Sequence, residues 1–357
     1  LKKKWKKKLE KKQELKNKGA SKLKSLNVGM IGAGRVAQVH LGNLKQMKDI
    51  KVKTICDIFA EDSWKERFSV ENVTKEAADI FNDPEIDAVF ICTPTDTHTD
   101  LTIQAANAGK HIFCEKPVGT EEASILDAYH AVLANNVKFQ TGFNRRFDKS
   151  HEKVKLEAAS QAIGERHILK ITSRDPEPPN IDYVKRSGGI FMDMMIHDFD
   201  MARFMMDDEV EEVFTYGNSL VDPEIGAAGD VDTAIVSLKF KNGAMGVIDN
   251  SRKAVYGYDQ RIEVFGEKGM LQSLNQPDYH VNRYTAQSVE AGTPKYFFLE
   301  RYQDAFFNEE VAFFDSIRQD QPTKCSFKDG IMAIRIAEAA KKSLETGEKV
   351  AVNLEIK

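Results

Sequence analysis

Between residues 26 and 143 the apolar positions fall into short, nearly unbroken runs: LNVGMI at 26–31, KVKTICD at 51–57, AVFICTP at 88–94, HIFCEKP at 111–117 and VKFQTGF at 137–143. The stretches 97–108 and 121–135 between them carry helical spacing instead. Runs apolar enough to be covered on both faces, separated by amphipathic helices, predict a doubly wound parallel sheet. Past Arg146 the rhythm changes. A helix at 149–160 leads into ERHILKITSRD, a strand ending at Arg174-Asp175, and then the turn-rich PEPPN. After the segment 188–206, strand-like runs at 212–220, 232–240, 244–252, 261–266 and 269–274 follow one another, with Lys241-Asn242-Gly243 as a hairpin turn. Strands in succession predict a mainly antiparallel open sheet. The expectation is therefore an α/β N-terminal domain at 25–145 and an α+β C-terminal domain at 146–357. Two last helices, near 303–319 and 328–346, are expected to return over the first domain.

The segment Gly188–Phe204, GGIFMDMMIHDFDMARF, stands apart. It is apolar except for Asp193, His197, Asp198, Asp200 and Arg203. Read as one helix, it puts Asp193 and His197 four apart on one face. Buried acids and histidines are costly unless paired, so the pair is either a satisfied core contact or a working site. The same spacing suits a metal, but no third ligand is evident and none is expected.

Gly32, Gly34 and Ala37 fit G-x-G-x-x-A, with an apolar strand before and a helical pattern after. This is the dinucleotide fingerprint of the Rossmann fold: Gly32 allows the tight turn, Gly34 lets the backbone approach a pyrophosphate, and the helix N-terminus supplies amides. Arg35 and Val36 open that helix. Twenty-five residues after Gly32, KVKTICD ends in Asp57, placed to accept from ribose hydroxyls and to repel a 2′-phosphate, so NAD is expected over NADP. Ligands on such sheets sit beyond the carboxyl ends of the strands, which directs attention to Thr93-Pro94, to Glu115-Lys116-Pro117 and to Asn144-Arg145-Arg146. Lys116, held just past a strand end, is placed to stabilise charge developing on an oxygen; its other reading is a structural pair with a neighbouring carboxylate. His98 begins a helix after a strand end and is expected to line the cofactor cleft.

Composition changes this picture little. At 41% hydrophobic and 30% charged, the chain is of ordinary globular type, and no apolar run is long enough to cross a membrane. The four cysteines form no CxxC pair, and three end or interrupt apolar runs, as expected for reduced thiols in the cytoplasm. Charge is asymmetric. Residues 1–24 hold twelve lysines against two glutamates, a net +10, so with the whole chain at −4 the remainder carries −14. Such a run is able to bind nucleic acid, but segments this charged and this poor in apolar residues seldom order themselves. It is read as a solvated extension, with no nucleic-acid partner expected.

VGMIGAGRVAQVH, the EKP of Glu115-Lys116-Pro117, GFNRRFD at 142–148, DMMIHDFDMARF and YGYD at 256–259 together resemble the Gfo/Idh/MocA oxidoreductase family over residues 26–355. The last two are similar to the family's inositol-oxidising members. The resemblance implies NAD-dependent oxidation of a cyclic polyol, myo-inositol to its 2-keto form, with scyllo-inositol or another sugar-like polyol as the variant. A catalytically silent NAD-binding regulator is the reading from another class. The resemblance also implies a cytoplasmic homo-oligomer, a tetramer. It makes Lys116, Asp193 and His197 catalytic, with His197 taking the hydroxyl proton, Asp193 orienting the imidazole and raising its pKa, and Lys116 bonding the reacting oxygen. Gly32, Gly34, Arg35, Val36, Asp57, Thr93, Pro94, His98 and Glu115 fall to the cofactor. Arg146, Asp175, Tyr256 and Tyr258 fall to the substrate. Ser173-Arg174-Asp175 departs from the pattern of related inositol enzymes.

Overall fold

Six parallel strands of the first half pair in the order β3-β2-β1-β4-β5-β6 in the computed structural model, which describes residues 25–356. They are β1 (Leu26–Ile31), β2 (Ile50–Cys56), β3 (Asn72–Thr74), β4 (Ala88–Ile91), β5 (His111–Glu115) and β6 (Phe139–Gly142). The lysine-rich run 1–24 lies outside the described residues. Every residue of β4 is buried, as its unbroken apolar run requires, with helices on both faces. The strand order reverses between β1 and β4, and the crevice at such a switch point is where doubly wound sheets hold ligands.

The second half builds a seven-stranded sheet, β12-β11-β7-β10-β9-β8-β15. Its strands are β7 (Arg166–Arg174), β8 (Val210–Asn218), β9 (Thr233–Phe240), β10 (Met245–Ser251), β11 (Asp259–Gly266), β12 (Gly269–Ser273) and β15 (Val350–Ala351); the two-residue strands β13 (Arg283–Tyr284) and β14 (Val289–Glu290) form a separate ribbon. Only β7 and β10 pair in parallel within the large sheet. Burial alternates strictly along β9. One face therefore packs into the core with helices Ile196–Met206 and Phe327–Thr346, while the other leaves Tyr216, Ile235, Met245 and Met270 exposed. Of the last two long helices, Gln303–Arg318 packs on helix Arg35–Leu44 of the first half, and Phe327–Thr346 spans β6 and β8.

The segment expected as one helix is two. Helix Gly189–Asp193 ends at Met194, and helix Ile196–Met206 starts afresh. Gly188 and Gly189 both have positive φ, 80° and 78°, and a Cβ at Gly189 would lie 2.6 Å from Asp230 Oδ1, the oxygen that accepts from the Ile190 N–H. At the break, the Met195 N–H reaches back five residues to the Ile190 carbonyl at 2.8 Å. Such a wide turn inserts an extra residue into the ladder and rotates the second helix against the first. The four-residue spacing of Asp193 and His197 thus does not stack their side chains.

Candidate active site

Between the two halves lies a cavity of about 410 Å³. Arg35, Val36, Glu115 and Lys116 reach it from the first half, and Asp175, Asp193, His197 and Tyr258 from the second. These eight residues, expected from the sequence to serve cofactor, chemistry or substrate, are brought to one place.

The remaining cofactor candidates follow the ends of β1, β2 and β4. Gly32 has φ 92° and sits so close to the main chain after β4 that a Cβ would lie 2.7 Å from the Cys92 carbonyl oxygen. No side chain bulkier than hydrogen fits there. Gly34 opens into free space, and helix Arg35–Leu44 begins on it with neither a side-chain cap nor an acid in its first turn. A helix N-terminus left open in this way suits a phosphate. Asp57 Oδ2 accepts from the Ala33 N–H at 2.8 Å and Oδ1 from the Phe59 N–H at 2.9 Å, which fixes the carboxylate against the glycine turn. Lone pairs remain for ribose hydroxyls. The residues present fit a dinucleotide. Thr93 bonds Thr97 through their hydroxyls, and Thr97 donates to the Pro94 carbonyl, closing the turn after β4. His98 departs from expectation. It is buried, with Nδ1 2.7 Å from the Pro117 carbonyl oxygen and Nε2 2.9 Å from that of Thr93. Both ring nitrogens are spent on main chain, so His98 braces the Thr93 turn against the loop after Lys116 instead of lining the cofactor cleft.

Lys116 follows β5 directly, and its Nζ donates to the main-chain carbonyl of Asp193 at 3.1 Å and lies 3.6 Å from Asp193 Oδ1. The other contacts of that carboxylate are the Tyr183 hydroxyl at 2.8 Å and Arg252 Nη1 at 2.9 Å. Burial would raise the Asp193 carboxyl, but Lys116 and Arg252, with the bonds from Arg252 and Tyr183, outweigh it and hold the group below its ordinary value. None of its oxygens reaches His197. The expectation that Asp193 orients His197 and raises its pKa is corrected: the helix break turns Asp193 toward Lys116. His197 packs its ring edge against Phe143, centroids 5.7 Å apart, and its Nδ1 is buried without a partner. Burial first, then the positive charges of Arg145 and Lys116, push its pKa well below 6.5. It is a neutral imidazole at neutral pH.

On the substrate side two of four expectations change. Arg146 is buried away from the cavity, bidentate to Asp200 at 2.6 and 2.8 Å and paired with Asp329 at 3.0 Å, so it braces helix Ile196–Met206. Its neighbour Arg145 lines the cavity, bound to Asp198 at 2.6 Å and donating to Ser173 Oγ at 3.2 Å. The two sit on one 3₁₀ turn, Asn144–Phe147, which points successive side chains apart; RR in a sequence does not say which arginine faces in. Tyr256 is 45% exposed and donates to Asp259 at 2.7 Å, outside the cavity, whereas Tyr258 is buried beside Arg145. Asp175 lies on the cavity wall. Burial pushes its carboxyl up to about 6, with Arg252 opposing and Asp193 adding to the rise. Sequence reasoning missed Tyr183 and Arg252. Arg252 stands one residue past β10 and is wholly buried, with Nε and Nη2 unpartnered at the cavity; the signal available was an arginine at a strand end.

Residues 26–143 match the family model described as oxidoreductase family, NAD-binding Rossmann fold, and residues 151–272 match the GFO/IDH/MocA C-terminal domain. The chain is 49% identical over 331 residues to the uncharacterized oxidoreductase YrbE of Bacillus subtilis, covering 92% of this chain and 97% of that one. It is 48% identical over 333 residues to the myo-inositol 2-dehydrogenase of Thermotoga maritima, covering 92% and 99%. The crystal structure of scyllo-inositol dehydrogenase from Lactobacillus casei with bound NAD(H) and scyllo-inositol superposes with a TM-score of 0.86 at 31% identity, covering 92% and 99%. The glycine turn with its acid, the lysine after β5 and the His197 helix therefore sit in a chain that belongs to the NAD-binding Gfo/Idh/MocA oxidoreductase family.

Proposed function

We propose that this protein oxidises one ring hydroxyl of an inositol to a ketone, myo-inositol to 2-keto-myo-inositol. The observation that carries the reading is one cavity bordered at once by the start of the dinucleotide helix, Lys116 and a neutral His197. NAD, when bound, supplies the hydride acceptor. Gly32, Gly34 and Asp57 would hold it. The residues of the chain manage the other half of the reaction. The hydroxyl proton passes to His197, whose depressed pKa keeps the ring free to accept it. Lys116 donates to the reacting oxygen as the C–O bond becomes a carbonyl, and Asp193, itself held by Tyr183 and Arg252, keeps Lys116 in place. Asp175, Arg145 and Tyr258 are assigned to the remaining ring hydroxyls. Residues 25–145 accordingly hold the cofactor and lend Lys116 and Arg145 to the polyol, whose other contacts come from 146–357.

The likeness to both myo- and scyllo-inositol enzymes makes scyllo-inositol the second substrate to try. The test is NADH absorbance from the purified protein with NAD against the inositol isomers and common sugars. Turnover with myo-inositol and strong preference for NAD are expected. No turnover with any inositol overturns the reading, and equal use of NADP removes the role given to Asp57. The exposed apolar face of the second sheet, with Tyr216, Ile235, Met245 and Met270, supports association of copies of this chain, read here as a tetramer that light scattering would detect. No helix among the described residues is long and apolar enough to cross a membrane, and the four cysteines are unpaired, in keeping with a cytoplasmic place.

A further inference from the structure

Behind the cavity wall, His40 lies fully buried between two carboxylates distant in sequence. Nε2 is 2.9 Å from Glu115 Oε1 and Nδ1 is 2.8 Å from Glu310 Oε1, the oxygen that also accepts from Asn43 at 2.9 Å. The ring edges of Phe90, Phe113 and Phe306 close the rest of its surroundings. A neutral imidazole has one N–H and would leave one of these carboxylates facing a lone pair; the imidazolium donates to both. Burial lowers the pKa of His40, but the bonds from Glu115 and Glu310 outweigh it and lift the group to about 10. Glu309, alongside, is buried with neither carboxylate oxygen partnered, and burial pushes its carboxyl well up. Burial also pushes the Glu310 carboxyl up, opposed by its bonds from His40 and Asn43, so the geometry sets a carboxyl at each ring nitrogen of His40 with a third acid, Glu309, beside them.

Its place in the fold gives it a task. His40 lies one turn after Val36 on helix Arg35–Leu44, whose start borders the cavity. Glu115 ends β5, immediately before Lys116, and is confined from the other side: a Cβ at Gly142 would lie 3.0 Å from its Oε1. Glu310 belongs to helix Gln303–Arg318, which packs on the His40 helix. We propose that His40 is a positioning residue that ties the dinucleotide-cradling helix to Glu115, and through Glu115 fixes Lys116 relative to the bound cofactor. One buried cation thereby links the two elements whose separation the oxidation depends on.

This rests on the oxidation read above, and the parental protein separates the two: no inositol turnover by the parent refutes that reading, whereas the ratio of variant to parent tests His40. Displacing a reacting group by about 1 Å is enough to cost on the order of 10²-fold. His40→Gln should therefore lower kcat by about that factor while leaving KM for NAD near the parental value. In a Lys116→Met background the same substitution should change kcat little, since no lysine is left to place. An equal fold-loss in both backgrounds, or a raised KM for NAD with kcat retained, overturns the proposal. If the unpaired carboxylates unfold His40→Gln, the double variant His40→Gln/Glu310→Gln, which removes one charge of each sign, is read the same way. A readout free of turnover is the ring ¹⁵N shift of His40 in cofactor-free protein at pH 8. Both nitrogens should be protonated, and a neutral ring overturns the proposal.

Discussion

His40 and His197 are two imidazoles in adjoining parts of one molecule, the first fully buried and the second half-buried on the cavity wall, and their protonation is driven in opposite directions. Around His40 two carboxylates lift the ring to about 10; around His197, Arg145 and Lys116 add to burial and drive it well below 6.5. Desolvation has the same sign at both and disfavours the cation. The charge of the partners decides the outcome. The His40 region keeps a proton at neutral pH, as a strut, while the His197 region keeps a ring neutral, as an acceptor. Glu115 and Lys116, neighbours in sequence, join the two regions: both reach the cavity with His197, and the acid also bonds His40.

The comparison is broken most directly at His197. Removing a general base costs about 10²–10⁴ in rate, so His197→Ala should nearly abolish oxidation with NAD binding intact; oxidation close to the parental rate would reduce the residue to core. Next comes Lys116→Met, which keeps the stem and removes the donor at the reacting oxygen. A loss on the order of 10²–10³ in kcat is expected, with NADH binding, followed by fluorescence, unchanged. Retained turnover would move the role elsewhere.

Arg145→Gln sharpens the comparison without touching either histidine. It removes a positive charge that depresses His197, so the pKa of His197 rises and the acid limb of kcat/KM moves to higher pH. Asp193→Asn should leave that limb nearly in place, because Asp193 serves Lys116. An unmoved profile in Arg145→Gln, or a large shift in Asp193→Asn, contradicts the electrostatic account.

The smallest effect is on stability, and its signs are opposite. The folded pKa of His40 is raised, so its contribution is complete below the unfolded value near 6.5 and is lost as pH rises toward about 10. The folded pKa of His197 is depressed, so its contribution is present above 6.5 and is lost as pH falls below it. Thermal unfolding of His40→Gln should therefore be flatter than the parent on the alkaline side, and that of His197→Gln flatter on the acid side. Matching slopes in parent and variant on either side would remove that histidine from the account.

Local order carried much of this protein. The unbroken run of β4, the alternation of β9, the glycine turn at Gly32–Gly34 and the acid at Asp57 are each decided within a few residues, because strand burial and tight-turn geometry are short-range properties. Periodicity likewise marked the first half as α/β and the second as a mainly antiparallel sheet. It also marked the segment 188–206 as buried and chemically unusual. What it left open depended on distant partners. Past the helix break, Lys116 and Arg252 hold the Asp193 carboxylate; Asp200 takes Arg146 out of the cavity and leaves Arg145 in it; Glu310, 270 residues from His40, completes a cluster that no local pattern announces. Hydrophobic burial follows spacing along one element, whereas the direction and charge of a buried polar group follow whichever partner the tertiary fold delivers.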